Sequence, residues 1–238
     1  MNKLTTLVAS LAIAAMSFAS TANSIEYKMG VTGQTSAYFA NVEETLKTNA
    51  GAGARTTDEE AVAALSYASI FAELAFEEVY GLTVGFEYTP DNIALEKETR
   101  VIQNTAGQTA GVGNALDSGT QIIDGSINDL MLAYVAMPIG ENGFYVKAGY
   151  GTATLQTKEN LATGSSYKDE DLEYMAIGAG YDHDIGDIAF VRIEAMYNQF
   201  DDIKLTGTQA DEVGTTNFNR ITGELGGAAA KLSLGLQF

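Results

Sequence analysis

The chain has 238 residues, a formal net charge of −18, 25 glycines, 2 prolines, and neither cysteine nor tryptophan. The negative charge argues against a nucleic-acid binder, because phosphates would be repelled. The lack of cysteine excludes disulfides as a source of stability. Many glycines and few prolines are typical of long strands that pack closely and keep their ladder donors.

The first residues predict a targeting segment. One positive charge precedes a short apolar stretch from Leu4 to Phe18, and Ser20-Thr21-Ala22 then gives a small-x-small pattern. This order of features is that of a secretory signal peptide. We expect a cleaved signal peptide at 1–22, with the cut within 19–24, and one mature domain at 23–238. The alternative is a short N-terminal helix that is retained.

No later window holds about 18 consecutive apolar residues, so a membrane location would have to come from strands. Alternation with period two predicts a first strand from Ile25 to Phe39. The next segment, Leu65 to Glu77, has the composition of a helix. Its alternation favours a strand, because on a helix Glu73 would share a face with Phe76.

The same alternation predicts six more strands, over Leu82–Thr89, 127–137, 144–154, 173–181, 188–200 and 228–238. In the strand at 127–137 the apolar face is formed by Leu130, Leu132, Tyr134 and Ala136. The last strand is the clearest. Its even positions end on Leu232, Leu234, Leu236 and Phe238, opposite Lys231, Ser233, Gly235 and Gln237.

The connections alternate between short and long. Short links lie near 79–80, 140–142 and 182–187, and long polar links lie at about 42–60, 90–125, 157–170 and 201–222. Such alternation places the long loops at one end of an antiparallel barrel, as in outer-membrane proteins. Closure follows because each unpaired backbone group in hydrocarbon costs several kcal/mol. We therefore predict an all-β, eight-stranded, antiparallel up-and-down transmembrane β-barrel with short periplasmic turns and long extracellular loops.

The chain resembles the small outer-membrane β-barrel family that includes the OmpA transmembrane domain, OmpX and the opacity-type proteins. The resemblance is carried by 144–151, 177–182, 190–197 and 234–238. It implies a location in the bacterial outer membrane, and partners that include outer-membrane lipid, periplasmic chaperones and the barrel-insertion machinery. It also implies that this machinery reads Leu232, Leu234, Leu236 and Phe238 as a C-terminal insertion signal.

The faces opposite the apolar ones carry charges. They are Glu26, Lys28, Glu73, Glu87, Lys147, Arg192, Glu194 and Lys231. An eight-stranded barrel is just wide enough for side chains to fill, and charges there need partners because desolvating them alone is costly. We predict a structural interior charge network, with a narrow gated ion path as the alternative.

No catalytic, metal or cofactor site is predicted. The Asp-rich segment 182–187 around the single His183 is interpreted as a turn, since it lacks the further ligands of a calcium loop. The glycine pairs at 51–53 and 111–113 lack the context of a phosphate loop. One histidine and no cysteine leave hydrolysis without an obvious base, so we expect no enzyme.

The expected function is therefore that of an integral outer-membrane barrel with a structural or surface-interaction role and an interior filled by side chains. Its acidic loops could attract divalent cations loosely, and nucleic acid is not an expected partner. One alternative is a narrow, porin-like channel for small solutes or cations. A second is a soluble, exported, lipocalin-like binding barrel, which would turn Leu232 and Phe86 inward.

Overall fold

The computed structural model describes residues 25–46, 55–95, 98–102, 119–123, 125–157, 166–210 and 218–238. The signal-peptide segment and both glycine pairs lie outside these residues. The strands are β1 Ile25–Leu46, β2 Arg55–Phe76, β3 Leu82–Thr89, β4 Ile93–Ala94, β5 Glu98–Ile102, β6 Gly119–Ile123, β7 Gly125–Pro138, β8 Phe144–Thr157, β9 Glu170–Ile185, β10 Ala189–Phe200, β11 Ile203–Ala210 and β12 Phe218–Gln237. Among the described residues, no helix has the length and apolar character needed to cross a membrane.

The sheet closes on itself. Its order is β1-β2-β3-β7-β8-β9-β10-β12, and β12 pairs again with β1. All of these pairings are antiparallel, and the closing one runs from Lys28 opposite Gln237 to Thr45 opposite Arg220. The segment Leu65 to Glu77 is strand as far as Phe76, in register with β1 from Ile25 onward. The predicted eight-stranded antiparallel barrel is confirmed.

Tight turns gather at one end of the barrel. A short 3-10 helix at Glu77–Val79 joins β2 to β3, and Gly140 and Gly143 take positive φ between β7 and β8. The link between β9 and β10 is shorter than predicted, because β9 continues to Ile185 and the turn occupies only 186–188. Tyr27 and Phe238 exchange backbone hydrogen bonds of 3.0 and 2.9 Å at the same end.

At the opposite end the strands are longer than predicted. The hairpin of β1 and β2 stays paired as far as Leu46 opposite Arg55, inside the stretch predicted as loop 42–60. The predicted loops 90–125 and 201–222 likewise contain β4 to β6, β11 and the start of β12. The polar composition of these segments led to their prediction as loops. Outside the lipid, however, a strand has water on its outer face, so that face can be polar while the backbone still pairs.

An apolar belt surrounds the part of the barrel nearest the tight turns. This end is called the lower end, and the end with the long loops the upper end. The large members of the belt point outward and are exposed, apart from the half-buried Val84. They include Met29, Val31, Ile70, Val84, Phe86, Val135, Met137, Val146, Met175, Ile177, Ile193, Leu232, Leu234 and Leu236. Aromatic side chains mark both edges, with Tyr27, Phe144, Tyr181 and Phe238 below and Phe39, Tyr88, Tyr150 and Tyr197 above. Such a band between aromatic girdles is the lipid-facing surface of a transmembrane barrel.

Two sequence-based expectations about facing are settled by this belt. Leu232 is 60% exposed and Phe86 37% exposed, so the lipocalin-like alternative is wrong. In β7 the face of Leu130, Leu132 and Tyr134 is buried inside the barrel, whereas Val135 and Met137 point outward. Both faces of β7 are apolar, so alternation identified the strand but could not say which side faced the lipid.

Placing a charge in the belt tests the direction of the last strand. Because Leu232 faces hydrocarbon near the middle of the belt, Leu232→Arg should lower the free energy of unfolding by about 2–4 kcal/mol. Thr222→Arg, on the same strand but exposed above the belt, should change it by less than about 0.5 kcal/mol. Urea unfolding from lipid vesicles measures both. Equal effects would show that Leu232 does not face lipid.

Candidate functional site in the barrel interior

The lower interior is organised around Arg192, which projects from β10 and is 4% exposed. Its guanidinium hydrogen bonds both carboxylate oxygens of Asp182, which lies directly opposite on β9, at 2.7 and 2.9 Å. It also reaches across the lumen to Glu73 on β2, with Nη2 donating to Oε2 at 3.0 Å. Arg192 thus makes paired contacts with two carboxylates, the geometry that its planar fork favours.

Aromatic rings form a floor around this ion pair. The Arg192 Cζ lies 5.2 Å from the ring centroid of Phe71, 5.1 Å from that of Phe190 and 5.3 Å from that of Tyr145. Phe76 and Phe190 are fully buried. These distances allow cation–π attraction, and the rings lie toward the side of the short turns.

A second charge cluster lies above the first. Lys231 on β12 donates to both oxygens of Glu87 on β3 at 2.6 and 2.7 Å, across the lumen. Lys147 on β8 donates to Glu194 at 2.9 Å and lies 3.7 Å from Glu87. Ser69 donates to Glu87 at 2.6 Å. Every one of these residues is buried, so the pairs are desolvated and directly hydrogen-bonded.

Tyr134 joins the two clusters. Its hydroxyl donates to Glu73 at 2.6 Å, and its ring lies 3.7 Å below the ammonium of Lys147. The result is one continuous network. Most of its hydrogen bonds span the lumen between strands that are not neighbours in the sheet, and only those of Arg192 with Asp182 and of Ser69 with Glu87 join neighbouring strands. These contacts fix the distance between opposite walls as well as neutralising charge.

The structure places the eight predicted network residues in two groups. Buried in the network are Glu73, Glu87, Lys147, Arg192, Glu194 and Lys231. Lys28 lies at the mouth, 3.4 Å from Glu26 and 4.0 Å from Asp182. The Glu26 side chain is 30% exposed there, so Asp182 rather than Glu26 provides the fourth interior carboxylate.

Asp182 was missed because its polar neighbourhood suggested a turn. The signal was present, since Tyr174, Ala176, Gly178 and Gly180 precede Asp182 at steps of two and all face inward. His183, one residue further, is exposed on the outer side. Within the described ranges no group of histidine, cysteine and acidic side chains has the arrangement of a metal site.

Inward glycines make room for inward aromatic rings. Gly85 lies directly opposite Tyr134, and a Cβ there would come closer than 3.0 Å to the Tyr134 ring. Gly235 stands in the same relation to Phe190. The same pairing is found for Gly180 with Tyr145, Gly151 with Tyr174 and Gly227 with Tyr38. Each ring lies over a glycine, so a narrow lumen holds large side chains.

Above the charges the interior becomes apolar. Tyr174 stacks on Phe200 with centroids 4.8 Å apart, and Tyr38 hydrogen bonds Tyr67 at 2.7 Å between hydroxyls. The cluster continues upward through Ile93, Ile127, Leu155, Leu172, Ile203, Leu205 and Leu225. These residues form an apolar cap above the charge network, on the side of the long loops.

Comparison with solved structures supports the same architecture. The outer membrane protein OprG from Pseudomonas aeruginosa matches with a TM-score of 0.55 and 13% identity, over 90% of this chain and 95% of that one. This likeness shows the fold. The chain is an integral outer-membrane β-barrel.

Two further structures resemble this outer-membrane barrel more distantly. The outer membrane protease OmpT from Escherichia coli gives a TM-score of 0.43 at 10% identity, over 92% of this chain and 98% of that one. The attachment invasion locus protein Ail of Yersinia pestis gives 0.37 at 13% identity, over 88% and 99%. No family model and no curated protein matches the chain.

Removing one charge from the network tests its energetic role. Glu87→Gln would leave Lys231 buried without its counter-charge, so the free energy of unfolding should fall by about 3–5 kcal/mol. Asp202→Asn is the control, because Asp202 and Lys204 form an exposed pair at 3.5 Å and should contribute at most about 1 kcal/mol.

The double variant Glu87→Gln/Lys231→Met should recover most of this loss, because it removes both buried charges together. Urea unfolding from vesicles measures all three variants. If Glu87→Gln cost no more than Asp202→Asn, the network would not be the desolvated cluster described here.

Proposed function

We propose that this outer-membrane barrel is a non-conducting, non-catalytic structural and surface-interaction protein. The observation that carries the proposal is the burial of the side chains that project into the lumen. An aromatic floor, the charge network and the apolar cap follow one another along its axis. The charged side chains are paired with one another across the tube. Charged groups paired in this way support a structural role, in which they hold opposite walls of the barrel together, rather than a path for solutes.

The outer surface above the belt supports the surface role. The exposed wall formed by β1, β2, β11 and β12 carries mostly acids, namely Glu43, Asp58, Glu60, Asp202 and Glu224, with Lys204 among them. This wall extends the barrel beyond the lipid, where other molecules can reach it. A negative surface of this kind attracts cations loosely, so we include weak divalent-cation association in the proposal.

Export and insertion belong to the same proposal. We propose that segment 1–22 is a signal peptide, and intact-mass measurement of the protein extracted from outer membranes should then give a chain that starts between residues 20 and 25. A mass that includes Met1 would contradict cleavage.

The outward row Leu232, Leu234, Leu236 and Phe238 is proposed as the signal for the insertion machinery, with periplasmic chaperones holding the chain beforehand. The row lies in the belt and is exposed along its length, with Phe238 65% exposed. Its side chains are therefore accessible to a partner before lipid surrounds them.

The filled lumen predicts that transport assays will detect neither solute uptake nor ion conductance. Purified protein in liposomes should give no swelling with small sugars, and planar bilayers should show no steady conductance. Lys147→Ala should be silent as well, because the aromatic floor and the apolar cap remain in place. Heat-modifiable migration on gels confirms that each sample is folded.

The porin-like alternative makes the opposite prediction. A stepwise conductance that changes in Lys147→Ala or Arg192→Ala, and stays unchanged in the exposed control Lys204→Ala, would show an ion path through the network. That result would replace the structural role with a channel.

A further inference from the structure

An unpartnered amide oxygen lies inside the barrel between the charge network and the apolar cap. Gln34 projects inward from β1 and is 8% exposed. Among the described residues its Oε1 has no hydrogen-bond partner. A buried acceptor that loses water without gaining a donor is costly, so a donor near this atom is to be expected.

A small cavity adjoins this oxygen. Its volume is about 20 Å³, and its polar lining includes Gln34, Glu87, Thr89, Asn198 and Lys231. A cavity holds one water molecule when it offers at least about 10–15 Å³ and two to four polar partners. The space and the lining both meet this condition. Two or more molecules would need a larger volume.

The charges around the cavity favour a neutral occupant. Lys231 is the direct cross-strand neighbour of Gln34, and its ammonium would repel a second cation. Glu87 lies beside it and would repel an anion. The ammonium carries three N–H donors, and two contacts bind it to Glu87. One donor can therefore point at a molecule that also faces Gln34.

We propose that this cavity is a binding site for a single ordered water molecule, which accepts a hydrogen bond from Lys231 Nζ and donates one to Gln34 Oε1. The water links β1 to the network and occupies the boundary where polar lining gives way to apolar lining. Tyr67, Leu130 and Tyr174 line the cavity on the side of the cap.

A high-resolution crystal structure of the full chain tests the site directly. The expected result is one density peak within about 2.7–3.2 Å of both Gln34 Oε1 and Lys231 Nζ. An empty cavity, or a Gln34 amide bonded directly to Lys231, would overturn the proposal. A continuous file of waters through the lumen would overturn this proposal and the filled-barrel function together, whereas an empty cavity affects only the water site.

Solution NMR in lipid nanodiscs gives an independent readout. A long-lived water should give cross-peaks to the backbone amides of Gln34 and Lys231. These should disappear in Gln34→Leu and persist in Gln199→Leu, which removes an exposed amide on the outer face of the barrel. Cross-peaks that are absent from the wild-type protein, or that survive in Gln34→Leu, would count against the site. The wild-type measurement stands even if Gln34→Leu does not fold.

Discussion

Within a bilayer, backbone N–H and C=O groups that cross the hydrocarbon must find their partners inside the protein. In this chain neighbouring strands pair all round the barrel, and the pairing of β1 with β12 completes the set by turning an open sheet into a tube. Closure then dictates the rest. Each strand has one face toward lipid and one toward a narrow lumen, and the inward side chains have to fill the space that the strand number leaves.

Along the barrel axis, the apolar face of the strands changes from the outer face to the inner one. Inside the belt, apolar side chains point outward, and the lumen holds Arg192, Lys147 and their carboxylates. Above the belt, Ile203, Leu205 and Leu225 point inward while acids face water. The reason is the solvent outside. Moving an apolar side chain from hydrocarbon into the lumen gains no hydrophobic free energy, whereas moving it there from water does. The upper barrel therefore has the apolar interior and polar exterior of a water-soluble barrel, and it continues directly into a lower part with the reverse arrangement of a membrane barrel.

Buried ion pairs are not in themselves a strong source of stability, since an apolar replacement of the same volume is often neutral or better. Their use here has a structural logic. A strand that is apolar on both faces, as β7 largely is, leaves its orientation unspecified by hydrophobicity. Glu87 and Lys147 lie on β3 and β8, the strands that flank β7. Both charges can only point into the tube, where they pair with Lys231 and Glu194 on more distant strands. The network thus specifies facing and register.

From the sequence alone, period-two alternation determined the strands, the short turns and the direction of the last strand, because lipid outside and polar groups inside impose opposite chemistry on successive residues. It also identified six of the buried interior charges, although Glu26 and Lys28 lie at the mouth instead. Only the tertiary structure decided which charges meet. Those contacts join strands that are remote in sequence, such as β2 with β10, and depend on barrel diameter and register. The same holds for Asp182, whose polar neighbours resemble a turn until Arg192 is seen opposite, and for the extended upper strands, where water on the outside removes the apolar face that would reveal them.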